Sequence, residues 1–245
     1  MKKPILQYIL VSIILFIIVI FVFQQVRYVE EEGFNPSDDG VILAQSQRIL
    51  DGQIPHVDFI SIRPVMSGVL HSIHFFSPLP LQISARWFVI FEHFVIAFAW
   101  VLFIFIMLNI KPNKYKILLF SCLLVIVFLL NLSIYNLFPW TTIDALFFTT
   151  LGILALTPLL KKGNYHLITI ISSLFLFALA ALCRQNFILI CVIANLLICY
   201  YFFKKKSIGK ILLISTLGNI PFIIYAYILF AKNGLESFFK QMTGR

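Results

Sequence analysis

Residues 86–109 read RWFVIFEHFVIAFAWVLFIFIMLN, a run in which only Arg86 and Glu92 carry a full charge. A helix that spans a bilayer needs about 20 predominantly apolar residues. This run therefore predicts a transmembrane helix. Similar runs recur along the chain, and together they predict about seven spans, at 5–26, 86–109, 116–134, 141–160, 165–182, 187–203 and 210–231.

The overall composition agrees with a membrane protein. The chain has 245 residues, of which 61% are hydrophobic and 12% are charged, and its mean hydropathy is +0.99. A soluble domain of this size cannot bury so much apolar surface. We therefore predict an all-α fold, a polytopic membrane helix bundle that forms a single membrane domain over residues 1–245 and has the lipid bilayer as a partner.

Lysines occupy every second connection between the predicted spans, and acidic residues occupy the others. The lysine-rich connections contain Lys2, Lys3, Lys111, Lys114, Lys116, Lys161, Lys162, Lys204, Lys205, Lys206 and Lys210. Lys and Arg are enriched in cytoplasmic loops. The pattern predicts a multi-pass protein of the plasma (inner) membrane, with a cytoplasmic N-terminus and an external loop at 27–82. The net charge of +9 is spread over short loops, which indicates membrane orientation and no nucleic-acid partner.

The loop at 27–82 predicts two short amphipathic helices. Ser37 suits the N-cap position before Asp38 and Asp39, because acids in the first turn complement the helix dipole. The apolar side of this first helix consists of Ile42, Leu43, Ile49 and Leu50. A second helix follows Pro64, and its apolar side consists of Val65, Val69, Leu70, Ile73 and Phe76. Helices of this kind lie on membrane surfaces, so we expect both on the outer face.

Asp38 and Asp39 are the first candidates for chemistry. Adjacent carboxylates repel each other unless they share a proton or a cation, which suits a general base or a metal ligand. Asp39 is therefore a candidate ligand for a divalent metal ion. The structural alternative is that both acids only begin the helix.

Other polar residues lie near the predicted membrane boundary. Arg184 occupies the short turn between the fifth and sixth spans, where a guanidinium can bind a phosphate or simply extend to the interface. Glu92 is costly in a membrane without a partner, and an ion pair with Arg86 is the expected arrangement. Asp144 begins the fourth span, either as a helix-start acid or as a pocket residue.

Metal and nucleotide motifs are scarce. His71 and His74 are one turn apart and can share a metal, but no third ligand accompanies them at a recognisable spacing. The sequence contains no Walker loop and no HExxH or GxSxG motif. The sequence therefore gives no indication of a nucleotide-binding enzyme or a zinc hydrolase of the usual kinds.

The loop motifs follow one another in a characteristic order. Asp38-Asp39-Gly40 is followed by Ile49-Leu50-Asp51-Gly52, then by Ile54-Pro55-His56-Val57-Asp58-Phe59 and by Arg63-Pro64. This order resembles the first external loop of GT-C-type glycosyltransferases, of the protein O-mannosyltransferase and aminoarabinose-transferase kind. The resemblance covers about the N-terminal half of such an enzyme. It departs from the family at Asp39, where glutamate is usual.

The resemblance implies a sugar transfer from a polyprenyl-phosphate donor to an acceptor hydroxyl on a glycan, a lipid or a protein. It implies that Asp38 is the general base of an inverting reaction. It also implies that Asp39, with Asp58, supports the site or holds a divalent metal ion. It implies that Arg184, with Arg63 or Arg86 as further candidates, stabilises the departing lipid phosphate.

Two other functions fit the same spans. One is a non-catalytic membrane scaffold or subunit, or a truncated remnant of such an enzyme. The other is a transporter of a lipid-linked sugar, which usually has broken helices and polar groups near the membrane midplane. The sequence shows no paired Gly/Pro-interrupted spans, so the transporter is the least favoured of the three.

Overall fold

The computed structural model describes residues 3–26, 39–135, 137–162, 166–204 and 206–243. The α-helices in these ranges are α1 (Lys3–Val26), α2 (Asp39–Leu50), α3 (Met66–His71), α4 (Leu81–Met107), α5 (Lys114–Ile134), α6 (Thr141–Lys162), α7 (Leu167–Cys183), α8 (Ile188–Lys204), α9 (Ile208–Gly218), α10 (Ile220–Ala231) and α11 (Leu235–Thr243). Two 3₁₀ turns follow α3 and α7, at Ser72–Phe76 and Gln185–Phe187. The described part of the chain has no β-strand, which confirms the all-α class.

The apolar helices are compatible with a multi-pass membrane protein. Four are long and apolar enough to cross a bilayer, namely Leu81–Met107, Lys114–Ile134, Thr141–Lys161 and Gln185–Lys204. The pair α9 and α10 would be a fifth span, bent by 62°. The segments Leu6–Ile20 and Leu167–Cys183 are apolar but shorter. Six of the predicted spans each overlap one helix and the seventh, 210–231, covers α9 and α10, and their number as true spans stays a prediction.

Helix α7 lies at the centre of one half of the bundle and packs against α6, α8, α9 and α10. Small residues on its neighbours permit a close approach. A Cβ atom built on Gly218 would lie 2.4 Å from Leu174 Cβ, and one on Gly152 would lie 2.8 Å from Phe177 Cε1. Ser173 Oγ also donates a hydrogen bond of 2.7 Å to the carbonyl oxygen of Gly152. Close packing and polar contacts are what hold helices together in lipid, where the hydrophobic effect is weak.

A second apolar core joins α1, α4 and α5. Tyr8 packs its ring against Phe120 and Phe105, at centroid distances of 4.6 and 5.7 Å. Phe105 and Phe120 also contact each other edge to face at 5.3 Å. Aromatic pairs in such geometry add stability beyond the area that they bury. These contacts position α4, which carries Glu92 and Arg86.

Four connections meet at one end of the bundle, which we name the loop end. They are residues 51–80, 137–140, 184–187 and 232–243. Hydrogen bonds join them: His71 contacts Asp144, and Gln241 accepts from the backbone N–H of Ser61. The opposite end includes the contact between Lys161 Nζ and the carbonyl oxygen of Ile106.

The segment 66–76 turns its polar side towards the protein. Ser67, His71 and His74 are buried, whereas the predicted apolar side is exposed at Val69, Ile73 and Phe76. Helix α2 packs on this segment, because Gly68 leaves room for the Gln45 side chain. An apolar side that faces away from the protein suits contact with lipid, and the location of this segment on the membrane surface stays a prediction.

Helix α11 closes the loop end. It follows Asn233, which has a φ of 54°, and Gly234, whose N–H donates 2.7 Å to the carbonyl oxygen of Leu229. The buried His56 side chain packs edge to face against Phe238 at 4.9 Å, and its Nδ1 lies 3.0 Å from Gln241 Oε1. The chain after the last predicted span therefore folds back onto the turn at 54–61.

Candidate functional site

A cluster of ionisable side chains lies inside the loop end. We name it the His–Glu–Asp cluster, and it consists of His71, Glu92 and Asp144. His71 closes α3, Glu92 projects from α4, and Asp144 lies in the first turn of α6. All three residues have 0% exposure, and one ligand atom from each lies within 4.8 Å of the others. His71 Nε2 donates to Asp144 Oδ1 at 3.1 Å.

The carboxylates of this cluster are poorly satisfied by the protein. Neither oxygen of Glu92 has a hydrogen-bond partner among the described residues, and the same holds for Asp144 Oδ2. A buried carboxylate without partners is costly, and two neighbouring carboxylates add mutual repulsion. The arrangement is therefore suited to hold a cation or to share a proton.

His71 is oriented by a relay of hydrogen bonds. Its Nδ1 lies 3.0 Å from His74 Nε2, and His74 Nδ1 lies 3.0 Å from Ser84 Oγ at the start of α4. Burial first, and then the neighbouring His71, lower the pKa of His74 from 6.5 to about 4. His74 is therefore neutral near pH 7 and has one donor and one acceptor nitrogen, as the relay requires.

Two arginines lie beside this cluster, and we name them the arginine pair: Arg63 and Arg184. Arg184 follows α7 directly and donates from Nη1 to Thr142 Oγ1, two residues before Asp144. Burial first, and then the charge of Arg63, lower the pKa of Arg184. The positive charge of Arg63 therefore acts on Arg184, and an anion bound by both guanidinium groups would remove this repulsion.

The arginine pair and the His–Glu–Asp cluster are neighbours. Cys183, which precedes Arg184, is buried in the same apolar cluster as Ala145, which follows Asp144. Met66 of α3 packs against the same apolar cluster. The cationic and carboxylate groups thus share the junction of α3, α6 and α7.

The structure places the other predicted site residues as follows. Asp38 lies outside the described residues, and Asp39 is described only as the first residue of α2. Asp58 is exposed, and its Oδ2 accepts from the backbone N–H of Ile54 at 2.7 Å, so it stabilises the turn at 54–58. Arg86 is buried in α4. The charge of Arg63 acts on Arg184, and the roles of all the predicted site residues stay predictions.

Neither carboxylate oxygen of Glu92 has a hydrogen-bond partner among the described residues, and the expected ion pair with Arg86 stays a prediction. Residues six apart on a helix are about 240° apart around its axis at 3.6 residues per turn. Glu92 faces Asp144 and His71. No sequence spacing indicates a third ligand for His71 and His74. In the structure, Glu92 of α4 and Asp144 of α6 lie close to His71.

Comparison with known proteins gives no match: no family model, no curated protein and no solved structure matches this chain.

Proposed function

We propose that the protein is a membrane glycosyltransferase, which moves a sugar from a polyprenyl-phosphate donor to an acceptor hydroxyl with inversion. The observation that carries the proposal is the arginine pair at the loop end, because it offers a site for the donor phosphate. The order of motifs from Asp38 to Pro64 supports the same function. The acceptor is a glycan, a lipid or a protein.

The arginine pair suits a lipid phosphate in both charge and position. Thr142 holds Arg184 where α7 ends, at the boundary between apolar helices and polar connections. A polyprenyl chain can then lie along apolar helix surfaces while its phosphate reaches the guanidinium groups. Charge-assisted hydrogen bonds contribute about 1.5–3 kcal/mol each, enough to select a phosphate over an alcohol.

The proposed chemistry is a single displacement. The acceptor oxygen attacks the anomeric carbon, its proton passes to the Asp38 carboxylate, and the bond between the anomeric carbon and the phosphate oxygen breaks. Negative charge then grows on the departing phosphate, where Arg63 and Arg184 stabilise it. Asp39 and Asp58 would support the sugar, or Asp39 would hold a metal ion, and Arg86 would add positive charge from α4.

We place the loop end outside the cytoplasmic membrane. Lys161 lies at the opposite end, where it contacts the carbonyl oxygen of Ile106, and the sequence pattern assigns the other lysine-rich connections to the same, cytoplasmic side. A lipid-linked donor suits this location, because nucleotide sugars are made in the cytoplasm. The N-terminus would then be cytoplasmic.

The proposal is tested by binding of farnesyl phosphate to the full chain in detergent micelles, with farnesol as the uncharged probe. We expect farnesyl phosphate to bind at least tenfold more tightly than farnesol. Arg184→Gln should lower its affinity about 10- to 100-fold, a loss of about 1.4–2.8 kcal/mol. Arg184→Lys should lose less, and Lys240→Gln on exposed α11 should lose nothing.

Equal binding of the two probes, or full phosphate affinity in Arg184→Gln, would contradict a donor site at the arginine pair. Transfer is tested separately with polyprenyl-phosphate sugars and an acceptor panel. Asp38→Asn should abolish transfer and leave farnesyl phosphate binding intact. Transfer that survives in Asp38→Asn would remove the assignment of the base.

One observation favours a second candidate, a transporter of a lipid-linked anion. The helix pair α9 and α10 is bent by 62° around Asn219 and Pro221. Asn219 Nδ2 donates to Asn195 Oδ1 at 2.9 Å, beside a groove of about 360 Å³. Broken helices with polar groups are typical of transporters. Movement of a fluorescent lipid phosphate across vesicles without sugar transfer would favour this candidate.

A further inference from the structure

We infer that His71, Glu92 and Asp144 bind one divalent transition-metal cation, Zn²⁺ or Mn²⁺, inside the loop end. The inference rests on the His–Glu–Asp cluster alone. It holds whether or not the protein transfers sugars, so its test needs no substrate.

The geometry suits a metal site. Each residue offers one ligand atom, and the three atoms lie within 4.8 Å of one another. Ligands about 2.1 Å from a tetrahedral zinc ion are about 3.4 Å apart, so small side-chain rotations close the site. The ligands come from α3, α4 and α6, whose packing fixes their approach.

The unpartnered oxygens are the second, independent observation. Glu92 is fully buried, and both its carboxylate oxygens lack a hydrogen-bond partner among the described residues, as does Asp144 Oδ2. A dication bound by one oxygen of each carboxylate balances both negative charges. A single shared proton leaves one negative charge in the buried cluster.

The relay behind His71 supports metal binding. A ligand histidine typically donates its second ring nitrogen to a partner that fixes its orientation. With Nε2 on the metal, His71 Nδ1 donates to His74 Nε2, and His74 Nδ1 donates to Ser84 Oγ, over two contacts of 3.0 Å each. Without a metal, His71 Nε2 donates to Asp144 and the direction of both bonds reverses, which neutral imidazoles and a hydroxyl permit.

The donor set indicates the class of cation. One imidazole nitrogen and two carboxylate oxygens suit Zn²⁺ or Mn²⁺, while Ca²⁺ and Mg²⁺ prefer oxygen ligands alone. No thiolate takes part in the three-residue group. Water or a phosphate oxygen can complete the coordination.

The test uses the full chain in detergent micelles, stripped with a chelator and dialysed against Zn²⁺, Mn²⁺ or Mg²⁺. Elemental analysis should find one equivalent of Zn²⁺ or Mn²⁺ per chain and no stoichiometric Mg²⁺. Glu92→Gln and Asp144→Asn should lower the affinity at least 100-fold. His74→Ala should lower it roughly 10- to 100-fold through loss of orientation.

Glu236→Gln and His166→Gln are the matched controls, since both residues are exposed and far from the cluster in the chain. They should keep the wild-type affinity. Retained affinity in Glu92→Gln or Asp144→Asn would overturn the inference, and so would a wild-type protein that binds no equivalent of either cation. A protonated carboxyl infrared band that disappears in Glu92→Gln, together with no metal binding, would assign a shared proton instead.

Spectroscopy of the wild-type protein keeps the test decisive if the variants do not fold. Mn²⁺ bound at this site should show coupling to one imidazole nitrogen in pulsed electron paramagnetic resonance. Bound Mn²⁺ without nitrogen coupling would place the ion elsewhere and overturn the inference.

Discussion

His71 Nε2 and Asp144 Oδ1 lie 3.1 Å apart, although 73 positions separate the two residues in the chain. The contact joins the loop helix α3 to the first turn of α6. Both side chains are fully buried, so the contact is shielded from solvent and from screening by salt. The cluster around it therefore ties the polar loop to the apolar bundle.

Metal binding should stabilise the folded protein. A ligand that binds only the native state adds about 2.7 kcal/mol at a concentration 100 times its dissociation constant. We expect Zn²⁺ or Mn²⁺ to raise the melting temperature of the wild-type protein and a chelator to reverse the rise. The measurement is thermal unfolding in micelles, with Asp144→Asn as the variant that should not respond. An equal rise in that variant would show that the cation acts elsewhere.

Much of the fold could be predicted from the sequence. The apolar runs predict the positions of α1 and α4 to α10, because a helix satisfies all the backbone hydrogen bonds of a long apolar segment internally. Helix α2 ends at Leu50, and Gly52, which follows closely, adopts a φ of 81°, a value that favours glycine. The bend between α9 and α10 was missed, although Asn219 and Pro221 mark it.

The candidate site was less predictable. Its three ligands come from separate helices. Residues 71, 92 and 144 are too far apart in the sequence for any motif to indicate that they are in contact. The segment 65–76 illustrates the cause. Its apolar residues were recognised, yet the polar side with His71 and His74 faces the protein, because lipid favours apolar groups outside and polar groups inside.

Gly218 is needed for the close approach of α9 to α7. A Cβ atom at this position would lie 2.4 Å from Leu174 Cβ, so Gly218→Ala should destabilise the protein by about 1–3 kcal/mol through overpacking. Gly209 lies in the same helix with nothing within 4 Å, and Gly209→Ala should be neutral or stabilise by up to about 1 kcal/mol. Melting temperatures in micelles compare the two, and equal effects would contradict this packing.

Ser173 contributes a hydrogen bond between α7 and α6. Removal of the hydroxyl in Ser173→Ala should cost about 0.6 kcal/mol, the average for such bonds in membrane proteins. Ser133 is exposed and bonds only within its own helix, so Ser133→Ala should have no effect. Chemical unfolding in mixed micelles measures both, and a larger loss in Ser133→Ala would refute the assignment.

The arginine pair should favour anion binding and lower the stability of the protein when no anion is bound. Removal of one charge in Arg63→Gln relieves the repulsion on Arg184, and we expect a gain of up to about 1 kcal/mol at low ionic strength. The gain should shrink in 1 M salt, where screening is strong. Melting temperatures at two salt concentrations measure this effect. A loss of stability at low salt would contradict this prediction. It would show that another contact of Arg63 stabilises the fold by more than its repulsion of Arg184 destabilises it.

The contact between α11 and the turn at 54–61 should weaken in acid. Burial, as the largest effect, lowers the pKa of His56 below 6.5, against weaker opposite contributions from hydrogen bonding to the Gln241 side chain and to the backbone of Arg63. Gln241 Oε1 is an acceptor, so Nδ1 carries the proton of the neutral ring and acid must protonate Nε2. That atom is buried without a hydrogen-bond partner among the described residues. Protonation therefore favours release of His56 from its site.

The direction of the pH dependence follows from this lowered pKa. Between the folded-state pKa and 6.5, the unfolded chain binds more protons than the folded one, so stability rises with pH in that window. The contribution of His56 is complete above about pH 6.5 and declines as the pH falls below it. Hydrogen exchange of residues 235–243 should accordingly be faster at pH 5.5 than at pH 7.5, after correction for intrinsic rates. His56→Asn should remove most of this dependence, because asparagine tolerates the φ of 67° and does not titrate. An unchanged pH dependence in His56→Asn would assign the acid response to another group.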